Sequence, residues 1–228
     1  MLKRVLEPEV MDTVDEANDY NQMDHSQVNR QFADDFLSAI QDLVRNANGP
    51  LRVFDAGTGT ALIPIELLQR GFPGTITASD LAEQMLVVAK KNVAAKQLES
   101  SIELVLRDCK KLPDADDAYD AAMSNSIIHH IPEPRHVLAE LWRIIKPGGV
   151  LFVRDLLRPQ DLQTLGRLVQ TYAGDSNAHQ QQMFRESLHA ALTIEDVRQF
   201  IVPLAIPLEA VRATSDRHWT LIARKPGE

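Results

Sequence analysis

LRVFDAGTGTALIPIELLQRG, residues 51–71, places a short apolar run ahead of a turn with two glycines, then a helix-forming stretch that stops at Gly71. The pattern predicts strand, loop and helix in that order. Pro64 falls in the first helical turn, where its missing N–H breaks no intrahelical bond. Gly57 and Gly59 let the backbone turn sharply and approach a ligand with no Cβ in the way. A glycine pair alone is also compatible with an ordinary tight turn.

Working outward, the same alternation repeats. Thr75–Ser79 reads as a second strand, Leu81–Lys96 as a second helix and Ile102–Arg107 as a third strand, each strand too short and continuous to be a half-exposed hairpin arm. Tyr119–Asn125 gives a weaker fourth strand, Glu133–Ile145 a helix and Val150–Val153 a fifth strand. Upstream, Val28, Phe32, Phe36, Leu37, Ile40, Leu43 and Val44 recur at the spacing of one helix face, so Ser26–Val44 is predicted helical with Ser26 capping it. Residues 8–25 are acidic and show little periodicity, which predicts irregular chain. After Asp155, residues 157–192 read as polar helices inserted over one end of the sheet. Leu192–Phe200 restores a helix, and Leu208–Ala213 with Trp219–Arg224 forms a closing strand pair. The expected fold is α/β, a mostly parallel, doubly wound, seven-stranded sheet with helices on both faces.

Composition narrows the function. A net charge of -8 would repel a phosphate backbone, so no nucleic-acid partner is expected. Nothing approaches the roughly 20 apolar residues of a spanning helix, and MLKRVLEPEV lacks the apolar core of a signal peptide; the expectation is a cytoplasmic protein with no membrane partner. A single cysteine, Cys109, excludes an intrachain disulfide and a cysteine-based zinc site. The sequence sets no oligomeric state.

In an open parallel sheet, ligands bind beyond the carboxyl ends of the strands, usually at the loop after the first. Asp80, 23 residues after Gly57, ends the second strand where a carboxylate can take both hydroxyls of a ribose; as a plain N-cap of the next helix it would occupy the same place. Asp108 ends the third strand and either meets an adenine amino group or is a solvated acid beside Lys110 and Lys111.

VFDAGTGTA (53–61), ASDLAEQML (78–86), RDCKKLP (107–113), YDAAMSNSIIHHIPEP (119–134) and LAELWRIIKPGGVLFV (138–153), in this order and spacing, resemble the successive motifs of class I S-adenosylmethionine-dependent methyltransferases. The resemblance covers about residues 50–155. It implies S-adenosylmethionine as cofactor, with Asp55, Ala56, Gly57, Thr58 and Gly59 around the methionine moiety and Asp80 on the ribose. Leu81 and Met85 would flank the adenine, and Asp108 with Cys109 would meet its amino edge. Ser124, Asn125 and Ser126 would line the cofactor, and Tyr20 belongs to an N-terminal segment that in similar enzymes folds over it. The family usually has glycine where Ala61 stands, so the loop would sit slightly farther from its helix.

The implied function is methyl transfer to an oxygen, nitrogen or carbon of a small-molecule acceptor. A sulfonium methyl is already activated, so positioning for in-line attack can do most of the work. A hydroxyl or acidic carbon would also need a base; His129 and His130, after the fourth strand, are the candidates, with loop packing as the alternative. Adjacent histidines are not expected to converge, and no metal is predicted. Arg154 and Asp155 either face the acceptor or pair with charges at the rim. The domain reading is one unit over 1–228: lid and helix (1–49), cofactor-binding core (50–155), helical insertion (156–192), closing helix and strands (193–228). Two rivals stand beside it. A nicotinamide-dependent oxidoreductase would need a third glycine at Leu62, which opposes close helix packing; a noncatalytic module binding S-adenosylmethionine or S-adenosylhomocysteine would share the motifs without turnover.

Overall fold

The computed structural model describes residues 2–227 apart from positions 8 and 11; the irregular chain expected at those two positions lies outside the described residues. Three helices precede the sheet: α1 (Val14–Gln22), α2 (Ser26–Ala39) and α3 (Gln41–Asn46). The sheet core follows as β1 (Leu51–Ala56), α4 (Leu62–Gln69), β2 (Gly74–Asp80), α5 (Glu83–Ala95), β3 (Ile102–Leu106), β4 (Tyr119–Asn125), α6 (Pro134–Ile144) and β5 (Ile145–Leu156). Then come α7 (Leu162–Ala173), α8 (Ala178–Ala190), α9 (Ile194–Ile201), β6 (Val211–Ala213) and β7 (His218–Arg224).

The strand order is β3-β2-β1-β4-β5-β7-β6. β1 to β5 are parallel, and β7 runs antiparallel to both β5 and β6. The chain steps from β1 out to β3 and returns to β4 on the other side of β1, which puts the switch point between β1 and β4. Both faces of the central strands are covered, because alternate residues enter opposite cores. Val53 packs with Phe32, Phe36 and Phe152 on one face, and Phe54 with Leu138, Leu141 and Trp219 on the other.

Four local expectations change. Residues 14–22 of the supposedly irregular stretch are helical, opened by a capping box in which Thr13 and Glu16 satisfy each other's backbone N–H groups. The long helix expected from Ser26 is broken at Ile40 into α2 and α3. Ser26 does not cap it; the Asp24 carboxylate accepts the Ser26 N–H at 2.9 Å instead. The inserted helices are not simply polar, since Leu165, Leu168, Val169 and Leu188 form their own small core with Leu156. Among the described residues, no helix is long and apolar enough to cross a membrane.

Candidate functional site: a cleft over the switch point

The loop after β1 is fixed by backbone geometry. Gly57 and Gly59 have φ of +71° and +55°, and a Cβ on Gly57 would lie 2.3 Å from Ile127, so only glycine fits there. Ala61 also takes a left-handed conformation, φ 62°, at the N-cap of α4, and is fully buried. This is where the departure from glycine shows: an L-residue bears a conformation costing roughly 1–2 kcal/mol.

Asp80 holds that loop in place. Its two oxygens accept the Gly59 N–H at 2.7 Å and the Ala82 N–H at 2.9 Å, tying the first loop to the turn that begins α5. Those bonds leave carboxylate lone pairs for a ligand's hydroxyls. The helix-cap alternative is not realised as such, because Ala82 occupies the N-cap of α5. Burial pushes the Asp80 carboxyl above the usual range, against the pull of those N–H groups. Asp55, 3% exposed, is pushed up to about 7 by burial, with the Asp80 charge adding to it.

Above these residues opens a cleft at the carboxyl ends of the strands. Gly57, Gly59, Asp80, Leu81, Met85, Asp108, Cys109, Asn125, Ser126, His130 and Tyr20 all line it, so most of the predicted site comes together. Asp55 and Thr58 line a smaller hollow that shares Tyr20, Gly57 and Asn125 with the cleft. Ala56, Ser124 and His129 line neither. The Ser124 hydroxyl donates to the Ala56 carbonyl at 2.9 Å and locks β4 to β1. Burial raises the Cys109 thiol to about 12, which makes it an inert wall rather than a nucleophile.

The N-terminal segment crosses the cleft. Ala17 and Tyr20 of α1 pack on Ala82, Met85 and Val88, and Tyr20 comes within 3.5 Å of where a Gly59 Cβ would be. Glu9 pairs with Lys110, which also contacts Asp108 at 3.1 Å. Farther back, Arg4 donates to the carbonyls of Ala190 (2.7 Å), His129 (2.9 Å) and Ile131 (3.0 Å). Residues 2–7, with 9 and 10, therefore form a strap from the inserted helices to the cleft mouth.

The two histidines part company in the 3-10 turn Ile128–His130. His129 is buried, its Nδ1 2.5 Å from Asp155 Oδ1, while His130 lines the cleft. Asp155 Oδ2 accepts the Ile128 N–H at 2.6 Å, and Oδ1 that of Leu156 at 2.6 Å. Burial alone would lower the His129 pKa, but Asp155 and Glu7 outweigh it and hold the imidazolium above its ordinary range. Glu7 Oε1 lies 3.5 Å from His129 Nε2 and 3.2 Å from His130 Nδ1, so the neighbouring rings do converge, on a carboxylate from the strap. Arg154 takes the pairing alternative: it meets Asp35 at 2.6 Å and Thr220 at 3.1 Å and does not line the cleft.

Residues 54–153 match a family profile described as a methyltransferase domain. The match takes in 100 of the 228 residues. Over 113 residues the chain is 36% identical to the demethylmenaquinone methyltransferase of Deinococcus radiodurans, an alignment covering 50% of this chain and 46% of that one. The chain spans about half the length of the curated relatives it matches. In fold it is similar to an S-adenosylmethionine-dependent methyltransferase from Aquifex aeolicus, with TM-score 0.64 at 18% identity over 94% of this chain and 99% of that chain. It is also similar to the plantazolicin methyltransferase solved with S-adenosylhomocysteine, with TM-score 0.68 at 13% identity over 93% and 90% of the two chains.

The site residues missed from sequence are Arg4, Glu7, Glu9 and Val10, which lie outside the family match and show no periodicity. Arg107, Lys110, Ile127 and Ile131, which also line the cleft, sit within or beside quoted motifs. Their position just past strand ends was the available signal.

Proposed function

We propose that the protein transfers a methyl group from S-adenosylmethionine to a small-molecule acceptor. One observation carries this reading: the ends of β1, β2 and β4 and the loop after β3 open into a single cleft over the switch point, with Asp80 clamping the glycine loop. Asp80 takes the ribose hydroxyls, Leu81 and Met85 flank the adenine, and Asp108 faces its amino edge. Asp55 meets the cationic methionine end. Tyr20 closes over the cofactor from α1, which acts with the strap as a lid. His130, on the cleft wall, is the base if the acceptor must lose a proton; His129 is a positioning residue behind it. The domain organisation is a single unit in which the strap and the inserted helices, both outside the matched residues 54–153, select the acceptor. An acceptor named for a relative therefore need not be the one taken here.

The test is a thermal melt with S-adenosylmethionine, S-adenosylhomocysteine or NAD, each at about 100 times a micromolar dissociation constant, where binding adds about 2.7 kcal/mol. Stabilisation by the two adenosyl sulfur compounds alone is expected; stabilisation by NAD alone, or by none, would overturn the cofactor assignment. Release of S-adenosylhomocysteine with an acceptor present then separates an enzyme from a binding module.

A further inference from the structure

We infer that Glu7, His129 and His130 form a binding site for a divalent ion of the zinc(II) or iron(II) kind at the edge of the cleft. Their ligand atoms, Glu7 carboxylate oxygen, His129 Nε2 and His130 Nδ1, all lie within 4.8 Å of one another. The separations from Glu7 Oε1, 3.5 and 3.2 Å, are those of neighbouring ligands around one ion. Bonds of about 2.0–2.1 Å at tetrahedral angles put ligand atoms roughly 3.4 Å apart. Two imidazoles and a carboxylate suit these ions and leave a coordination position open.

What surrounds the three residues is organised as an outer shell. His129 presents Nε2 because its Nδ1 is engaged by Asp155, the carboxylate–histidine arrangement that orients metal ligands, and Asp155 is itself pinned by the Ile128 and Leu156 N–H groups. Glu7 is oriented by Ser187 of α8, whose hydroxyl donates to Oε2 at 3.3 Å. Its other oxygen, Oε1, is shielded from solvent yet makes no hydrogen bond, leaving a buried acceptor aimed between the two rings. The side chains are 11% (Glu7), 3% (His129) and 18% (His130) exposed, so the ion would be enclosed on the protein side. His130 also walls the cleft, and the open position can take water or an acceptor oxygen there; with the ion bound, that water takes the place of His130 as the base. The ion would fasten the strap to the loop after β4.

The competing occupant is a proton on His129 Nε2, facing Glu7 while Nδ1 meets Asp155. Metal titration decides between them and reads neither cofactor binding nor turnover, so its outcome is separate from that of the methyl-transfer reading. Protein freed of metal by chelator is titrated calorimetrically with zinc(II), and with cobalt(II) followed by visible absorption. One equivalent bound at micromolar dissociation constant or tighter is expected, with intense cobalt bands of a four- or five-coordinate site. Glu7→Gln and His130→Ala should each weaken binding at least tenfold, and Asp155→Asn by about 10- to 100-fold. His129→Ala strands the buried Asp155 charge and risks unfolding, so the variants at Glu7 and His130 carry the decision. No stoichiometric binding, or an affinity unchanged in both of those variants, overturns the site.

Discussion

The two walls of the cleft are built in different ways. The wall proposed to hold the cofactor is made from loops that leave β1, β2 and β3, and its hydrogen bonds join the ends of adjacent parallel strands, Gly59 to Asp80 and Thr58 to the Ser79 carbonyl. The opposite wall is closed by a strap whose partners are remote in sequence: Leu2 bonds to Gln160, Val5 to His189 and Arg4 to Ala190. One wall is held by bonds between neighbouring strand ends. The other is held by bonds between the N-terminal segment and the insertion. This difference teaches that the proposed cofactor wall rests on hydrogen bonds within the central sheet, whereas the wall beside the strap rests on contacts with the insertion.

The largest expected effect breaks the cofactor wall. Gly57→Val adds a branched side chain at φ +71°, where even a Cβ lies 2.3 Å from Ile127, and should weaken S-adenosylhomocysteine binding by a hundredfold or more. Calorimetry measures it, and a melt without ligand separates lost binding from lost folding. A variant that melts lower yet binds within threefold of the parent would remove the loop from the cofactor seat.

A second test uses pH. Asp55, held at about 7 by burial, is protonated below neutrality and cannot then attract a cationic methionine end. Affinity for S-adenosylmethionine should therefore climb by up to about tenfold per pH unit from 5 to 7 and then level off. Asp55→Asn should flatten that rise. The sign for stability is opposite: the folded-state pKa is raised, so the contribution is full below about pH 4 and is lost as pH rises through 7. An unliganded protein whose melting temperature is flat across this range, and equal to that of Asp55→Asn, would sink the assignment.

The smallest effect probes the strap. Arg4→Ala removes donors to three carbonyls, so hydrogen exchange at residues 2–7 and 128–131 should accelerate several-fold, while cofactor affinity stays within about threefold. Equal loss of protection along β1 and β2 would mean that the two walls are one cooperative unit and would erase the distinction.

Much of the cofactor wall was legible before any coordinates, because its signals are local. Tyr119–Asn125 matches β4 to the residue, and the glycine loop and Asp80 fall where the spacing placed them. The N-terminal helix was obscured because it buries little beyond Ala17 and so shows no apolar stripe; the Thr13–Glu16 capping box was its one readable mark. Likewise, the expectation that His129 and His130 would not converge rested on their being adjacent in sequence. A 3-10 turn sets their ring centroids 4.2 Å apart, and Glu7 arrives from 122 positions away in sequence.

The sequence by itself determined the parallel sheet, the glycine turn and the acids at the strand ends, since side-chain period and backbone freedom act over a few residues. Only the tertiary structure decided which histidine faces the cleft, what lies behind the other, and that the N-terminal strap completes the site. Those outcomes depend on burial and on pairing between distant charges, as with Asp155 beneath His129, and no local pattern encodes which partner arrives.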